Sequence, residues 1–205
     1  MRDLDKALDD IVTIRAHIAA GTAFCGYGPA AVAATAAFAL IAAIAQHLWL
    51  DEPTSHPVTF FAGWLATALV AVGIIGVEMR ARSRRHHSGL ADAMVRQAAE
   101  QFLPAGATGA FLAVVMLQKA PETVWMLPGL WQLLVGLGLF ASARSLPRIV
   151  ALTGVWYFVA GACVLILTSE SHALSPWLMG LPFIIGQLLM AALLHLATEA
   201  LDADG

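Results

Sequence analysis

Two glutamines, Gln132 and Gln187, lie inside long apolar runs, in company with the hydroxyls of Thr35, Thr108, Thr153 and Tyr157 and the indoles of Trp64, Trp131 and Trp156. A carboxamide donates and accepts hydrogen bonds, a hydroxyl does the same, and an indole N–H only donates. Such a set could recognise a small uncharged polar solute, with the indoles shaping a constriction. The same groups could instead bond to neighbouring helices, because a polar side chain surrounded by hydrocarbon needs a partner. Spacing places them on faces. Thr35, Ala39, Ala42 and Gln46 recur at steps of three and four, as do Gly129, Gln132 and Gly136, while Thr153, Tyr157 and Gly161 recur at steps of four. The small residues on these faces read as packing seams, and the amides are where a pathway would depend on chemistry.

Metal or proton chemistry would draw on other residues. His47, His56 and His172, with Asp51, Glu52, Glu122 and Glu170 close in topology, offer imidazole and carboxylate, which suit a divalent metal or a pH response. No pair among them has diagnostic ligand spacing, so neither a metal nor a cofactor is expected. Glu78 ends an apolar run two positions before Arg80, where snorkelling to the interface is the expected behaviour; His195 is its candidate partner. The chain holds no HExxH, GxSxG or P-loop pattern, and no enzymatic activity is expected. Cys25 and Cys163 make no CxxC and fall at different depths, so no disulfide is expected.

Composition narrows the elements that must hold these residues. Of 205 residues, 60% are hydrophobic and 12% charged, whereas soluble domains run nearer 45–50% and about 25%. A net charge of −3 and a mean hydropathy of +0.77 exclude a nucleic-acid binder, an ordinary soluble enzyme and a disordered chain. About 20 apolar residues cross a bilayer as a helix. Six spans are predicted, at 29–50, 58–79, 103–119, 121–143, 149–168 and 175–198, which makes an all-α, polytopic six-transmembrane-helix bundle. The first 20 residues lack the apolar run of a signal peptide. Ten of the 11 Lys and Arg residues flank the spans on one side, and Lys119 alone lies on the other. Both termini are therefore predicted to be cytoplasmic, in a cell or inner membrane, with Trp49, Trp125 and Trp177 as the aromatic belt opposite.

Short loops on the far side pair the spans as three αα-hairpins. The first helix of each pair carries a related tetrad, Thr35-Ala-Ala-Phe38, Thr108-Gly-Ala-Phe111 and Thr153-Gly-Val-Trp156, which fits an internal repeat. Within residues 1–28, an amphipathic cytoplasmic helix is predicted over 3–20, with Leu4, Ile11, Ile14 and Ile18 on one stripe and Asp3, Asp5, Asp9 and Asp10 outside it. Acidic faces are repelled by anionic lipid. The expected docking surface is the basic segment Arg80, Arg82, Arg84 and Arg85, within one subunit or across a dimer. A cytoplasmic helix is predicted over 89–102, and an acidic cytoplasmic tail over 199–205. Small-residue seams at Ala33/Ala37 and Ala105/Gly109 leave room for a second copy, a homodimer being the commonest closed assembly.

The first functional expectation is a channel or transporter for a small polar solute. The alternative is a non-transporting sensor, assembly factor or regulatory module acting through its cytoplasmic helices on a protein partner. The lipid bilayer and a homo-oligomer are expected partners under either reading; nucleic acid is not.

Overall fold

The computed structural model describes residues 28–85, 89–142 and 151–203. All regular structure among them is helical. The elements are α1 (Pro29–Trp49), α2 (Pro57–Arg85), α3 (Gly89–Lys119), a 3-10 helix (Pro121–Met126), α4 (Leu127–Ser142), α5 (Ala151–Thr168) and α6 (Pro176–Ala203). Six stretches are long and apolar enough to cross a membrane: Pro29–Trp49, Pro57–Glu78, Phe102–Lys119, Pro121–Ser142, Ala151–Thr168 and Pro176–Leu196. That is the architecture of a multi-pass membrane protein. Proline starts α1, α2, the 3-10 helix and α6, at the first helical position, where its missing N–H has no partner to lose. Extended Gly28 precedes α1, and extended Leu50 closes it with an N–H bonded to the Gln46 carbonyl at 3.0 Å.

Three boundaries differ from the sequence expectation. Residues 89–102 are not a separate helix: α3 runs unbroken from Gly89 to Lys119 with Pro104 inside it, because one missing N–H interrupts only one rung of the ladder. The second helix does not end with its span at 79, since α2 continues through the basic segment to Arg85. The acidic tail is helical to Ala203 as the end of α6. The helix expected over 3–20, with Asp3, Asp5, Asp9 and Asp10, lies outside the described residues.

Each helix neighbours the next, and α6 returns along α1 to close a ring. The broadest interfaces are α1–α6 and α4–α5; the narrowest between consecutive helices is α2–α3. One end, the acidic end, carries Asp51, Glu52 and Glu170 in its loops and Glu122 in the 3-10 helix; the end of α2 with Arg80 is the basic end. The larger core cluster lies toward the acidic end and gathers Ala39, Ala43, Phe60, Phe61, Trp64, Met116, Val124, Leu127, Leu174 and Met179. Toward the basic end the core thins to Val32, Met190, Ala191 and Leu194.

The α4–α5 interface is built by glycine. A Cβ added to Gly129 would stand 2.9 Å from the Gly161 oxygen, and one on Gly161 would stand 2.8 Å from the Gly129 oxygen. Two turns along, Gly136 repeats this against Gly154, at 3.0 Å. In a bilayer, where apolar surface gains nothing by leaving lipid, such close backbone approach is what binds helices.

Candidate functional site

The polar side chains of the spans are distributed over four helix interfaces and bind mainly backbone. Gln46 donates from Nε2 to the Phe60 carbonyl at 3.0 Å, tying α1 to α2. Trp131 donates from Nε1 to the Gly109 carbonyl at 3.0 Å, tying α4 to α3. Gln132, fully buried, donates from Nε2 to the Leu178 carbonyl at 3.1 Å, tying α4 to α6. Between α5 and α6, Trp156 donates to the Pro182 carbonyl at 2.9 Å, and Gln187 donates to the buried Tyr157 hydroxyl at 3.4 Å. Among the described residues of the polar set, Tyr157 and Gln187 meet each other through their side chains.

The Gln132 bond has a local cause. Pro182 lies inside α6 and has no N–H, so the carbonyl four residues earlier, Leu178, loses its helical donor. Gln132 supplies that donor from another helix. Trp156 donates to the carbonyl of Pro182 itself, one turn further along α6. α4 and α5 thus both bond to α6 around its proline, and a donor from a neighbouring helix is one of the repairs open to a proline in a membrane span.

Threonines mostly serve their own helices. Thr35 bonds the Val32 carbonyl at 2.7 Å, and Thr108 bonds the Pro104 carbonyl at 2.8 Å. Thr153, buried, has only the Met190 sulfur at 3.9 Å. The three threonines of the related tetrads therefore occupy unlike settings: Thr35 and Thr153 are buried and Thr108 is exposed. The seam at Ala105/Gly109 is also not a free face, since Gly109 is buried against Trp131.

Three buried polar atoms among the described residues have no partner: Gln46 Oε1, Trp64 Nε1 and Gln132 Oε1. Trp64 is packed, with its ring 3.1 Å from where a Cβ on Gly180 would lie, and it joins Phe60 and Phe61 in an aromatic cluster that reaches Trp131.

At the acidic end the histidines part company. His172 stacks on Trp125 at 4.7 Å and 25°, from a left-handed backbone position with φ of 51°. His47 lies 5.8 Å from Trp177. His56 instead lines an open cleft of about 480 Å³ with Trp49, Asp51, Glu52 and Thr59. Among the described residues, no three His, Cys, Asp or Glu side chains are grouped to hold a metal ion. The loops of this end are joined by the Leu174 N–H, which donates to Thr54 Oγ1 at 3.0 Å. At the basic end His195 pairs with Glu199 at 3.3 Å, one turn along α6. Glu78 lines a second cleft, of about 670 Å³, between α1 and α2.

The residues missed in the sequence are Leu178 and Pro182. The signal was present: a proline within an apolar run marks an orphaned carbonyl four positions earlier, and a buried amide is a donor in search of one. The chain matches no protein-family model, no curated protein and no solved structure.

Proposed function

We propose that this chain is a non-transporting, non-enzymatic membrane module, a closed six-helix bundle that acts by presenting its basic end to a partner. What supports this most is that Trp131, Gln132 and Trp156, three of the side chains able to bind a solute, already donate to backbone carbonyls of neighbouring helices, Gln132 on Leu178 above all. The glycine contacts between α4 and α5 leave no room for a solute along that seam. In this reading both termini and the arginine-bearing end of α2 face the cytoplasm, as the distribution of Lys and Arg favours. The acidic segment with Asp3, Asp5, Asp9 and Asp10 docks on Arg80, Arg82, Arg84 and Arg85, and the module self-associates as a dimer. The test is flux in proteoliposomes. Urea and glycerol should cross no faster than in protein-free liposomes, and deleting residues 1–20 should weaken partner capture or dimer formation.

One observation favours transport instead: Gln132 Oε1 and Trp64 Nε1 are buried with no partner, an acceptor and a donor that an entering solute would complete. Solute flux that disappears in the Gln132→Leu, Gln187→Leu double variant would establish that reading and remove the first.

A further inference from the structure

The hydrogen bonds that α6 shares with its neighbours change character at Pro182. Up to the proline they are short. Gln132 donates to the Leu178 carbonyl at 3.1 Å, Trp156 to the Pro182 carbonyl at 2.9 Å, and the Leu174 N–H, just ahead of the helix, to Thr54 at 3.0 Å. Past the proline they are long: Gln187 reaches the Tyr157 hydroxyl at 3.4 Å, and Thr153 has the Met190 sulfur, a weak acceptor, at 3.9 Å. Apolar packing changes with them. Leu174 and Met179 belong to the larger core cluster, whereas Met190, Ala191 and Leu194 belong to the small one with Val32 of α1.

The backbone of α6 is weakest at the same place. Pro182 gives the helical ladder no N–H. The Pro182 carbonyl, which helix geometry aims at the Gly186 N–H, is shared with the Trp156 indole. Gly186, one turn on, is a poor helix former and offers Tyr157 bare backbone, since a Cβ there would lie 2.6 Å from the Tyr157 oxygen. Sharp bends in helices form at such residues.

We propose that Pro182 is a hinge, pinned to α4 and α5 by Gln132 and Trp156, about which the rest of α6 swings away from α5. The moving half stays on α1, with which α6 has its broadest interface, and α1, tied to α2 at its acidic end by Gln46, tilts with it. The swing opens the α5–α6 seam at the basic end. Among the described residues, the side-chain bonds that it breaks are the two long ones, and Tyr157 slides along a glycine. From Pro182 to Leu196 the helix is about 20 Å long, so a rotation of about 10° moves the Leu196 end by about 4 Å. The inference rests on the module reading for its use: the hinge sets the surface that the basic end offers, and a partner that binds one setting selects it.

The experiment is spin-label distance measurement by electron paramagnetic resonance on the full chain in bilayers, in a Cys25→Ser, Cys163→Ser background. One label pair, Leu152→Cys with Leu196→Cys, spans the α5–α6 seam at the basic end. The other, Leu167→Cys with Leu181→Cys, spans it at the acidic end, and all four sites are exposed. The distance distribution of the basic pair should be broader than that of the acidic pair by about 4 Å, the travel of the hinged arm. Pro182→Ala, which returns an N–H to the ladder, should narrow the basic pair to the width of the acidic one. An unchanged acidic pair shows that the variant is folded. Equal widths in the wild type, or a basic pair that Pro182→Ala leaves as broad, overturns the proposal. Broadening of the acidic pair by Pro182→Ala overturns it as well, since the proline would then order the frame rather than divide the helix. Solute flux would sink the module reading and leave these widths as they are.

Discussion

Two 22-residue spans of this chain, Pro57–Glu78 and Pro121–Ser142, have been put to opposite uses: 17% of the apolar stretch in the first is buried, against 44% in the second. Both contain glycines. In α4, a Cβ on Gly129 or Gly136 would run into the Gly161 or Gly154 carbonyl of α5. In α2, Gly73 and Gly76 face open space. The contrast shows that a small residue in a membrane helix is only permission for close approach. Approach occurs where a partner helix has a matching small residue at the same level, because van der Waals contact and a few hydrogen bonds must do what the hydrophobic effect does in water. The α2–α3 side has few such matches, and it is the side that packs least.

The largest effect expected from this difference is at the α4–α5 seam. Gly161→Val would drive two methyls into the Gly129 carbonyl and Leu133, at a cost of about 2–3 kcal/mol, the upper part of the range for overpacking. Unfolding in mixed micelles with increasing SDS would measure it. A cost below that of the same change at Gly76 would end the distinction between the two helices.

Next in size is the proline knot. Gln132→Leu leaves the Leu178 carbonyl without its donor, at a cost of about 1–2 kcal/mol. Pro182→Ala restores an N–H to the α6 ladder. In the Pro182→Ala background the cost of Gln132→Leu should therefore shrink to well under half. A double-mutant cycle with no coupling would separate Gln132 from Pro182.

The smallest effect is at the lipid-facing glycines. Gly76→Ala should be neutral, or stabilise by up to about 1 kcal/mol through helix propensity, in the same micelle titration. Destabilisation there would reveal a contact that α2 makes outside its own subunit.

Much of this was legible in the chain. The six apolar runs marked the spans to within a few residues, since hydrocarbon thickness fixes their length. Prolines at 29, 57, 121 and 176 marked helix starts, because only a first-turn position tolerates them without loss. The polar set was also found, but its use was not. Gln132 reads the same in the sequence whether it faces a solute or the Leu178 carbonyl, and only the placement of α4 beside the Pro182 turn decides. Likewise Thr35, Thr108 and Thr153 share a motif yet differ in burial, because burial depends on which neighbour lies opposite.

Residue order thus dictated that the chain enters the membrane and how often it crosses, for those depend on transfer of each segment from water to lipid, one helix at a time. Which glycines touch, which carbonyl each amide answers, and that the first helix closes on the last were decided by assembly alone. Within lipid every helix is already solvated, so small differences of fit between distant segments choose the arrangement.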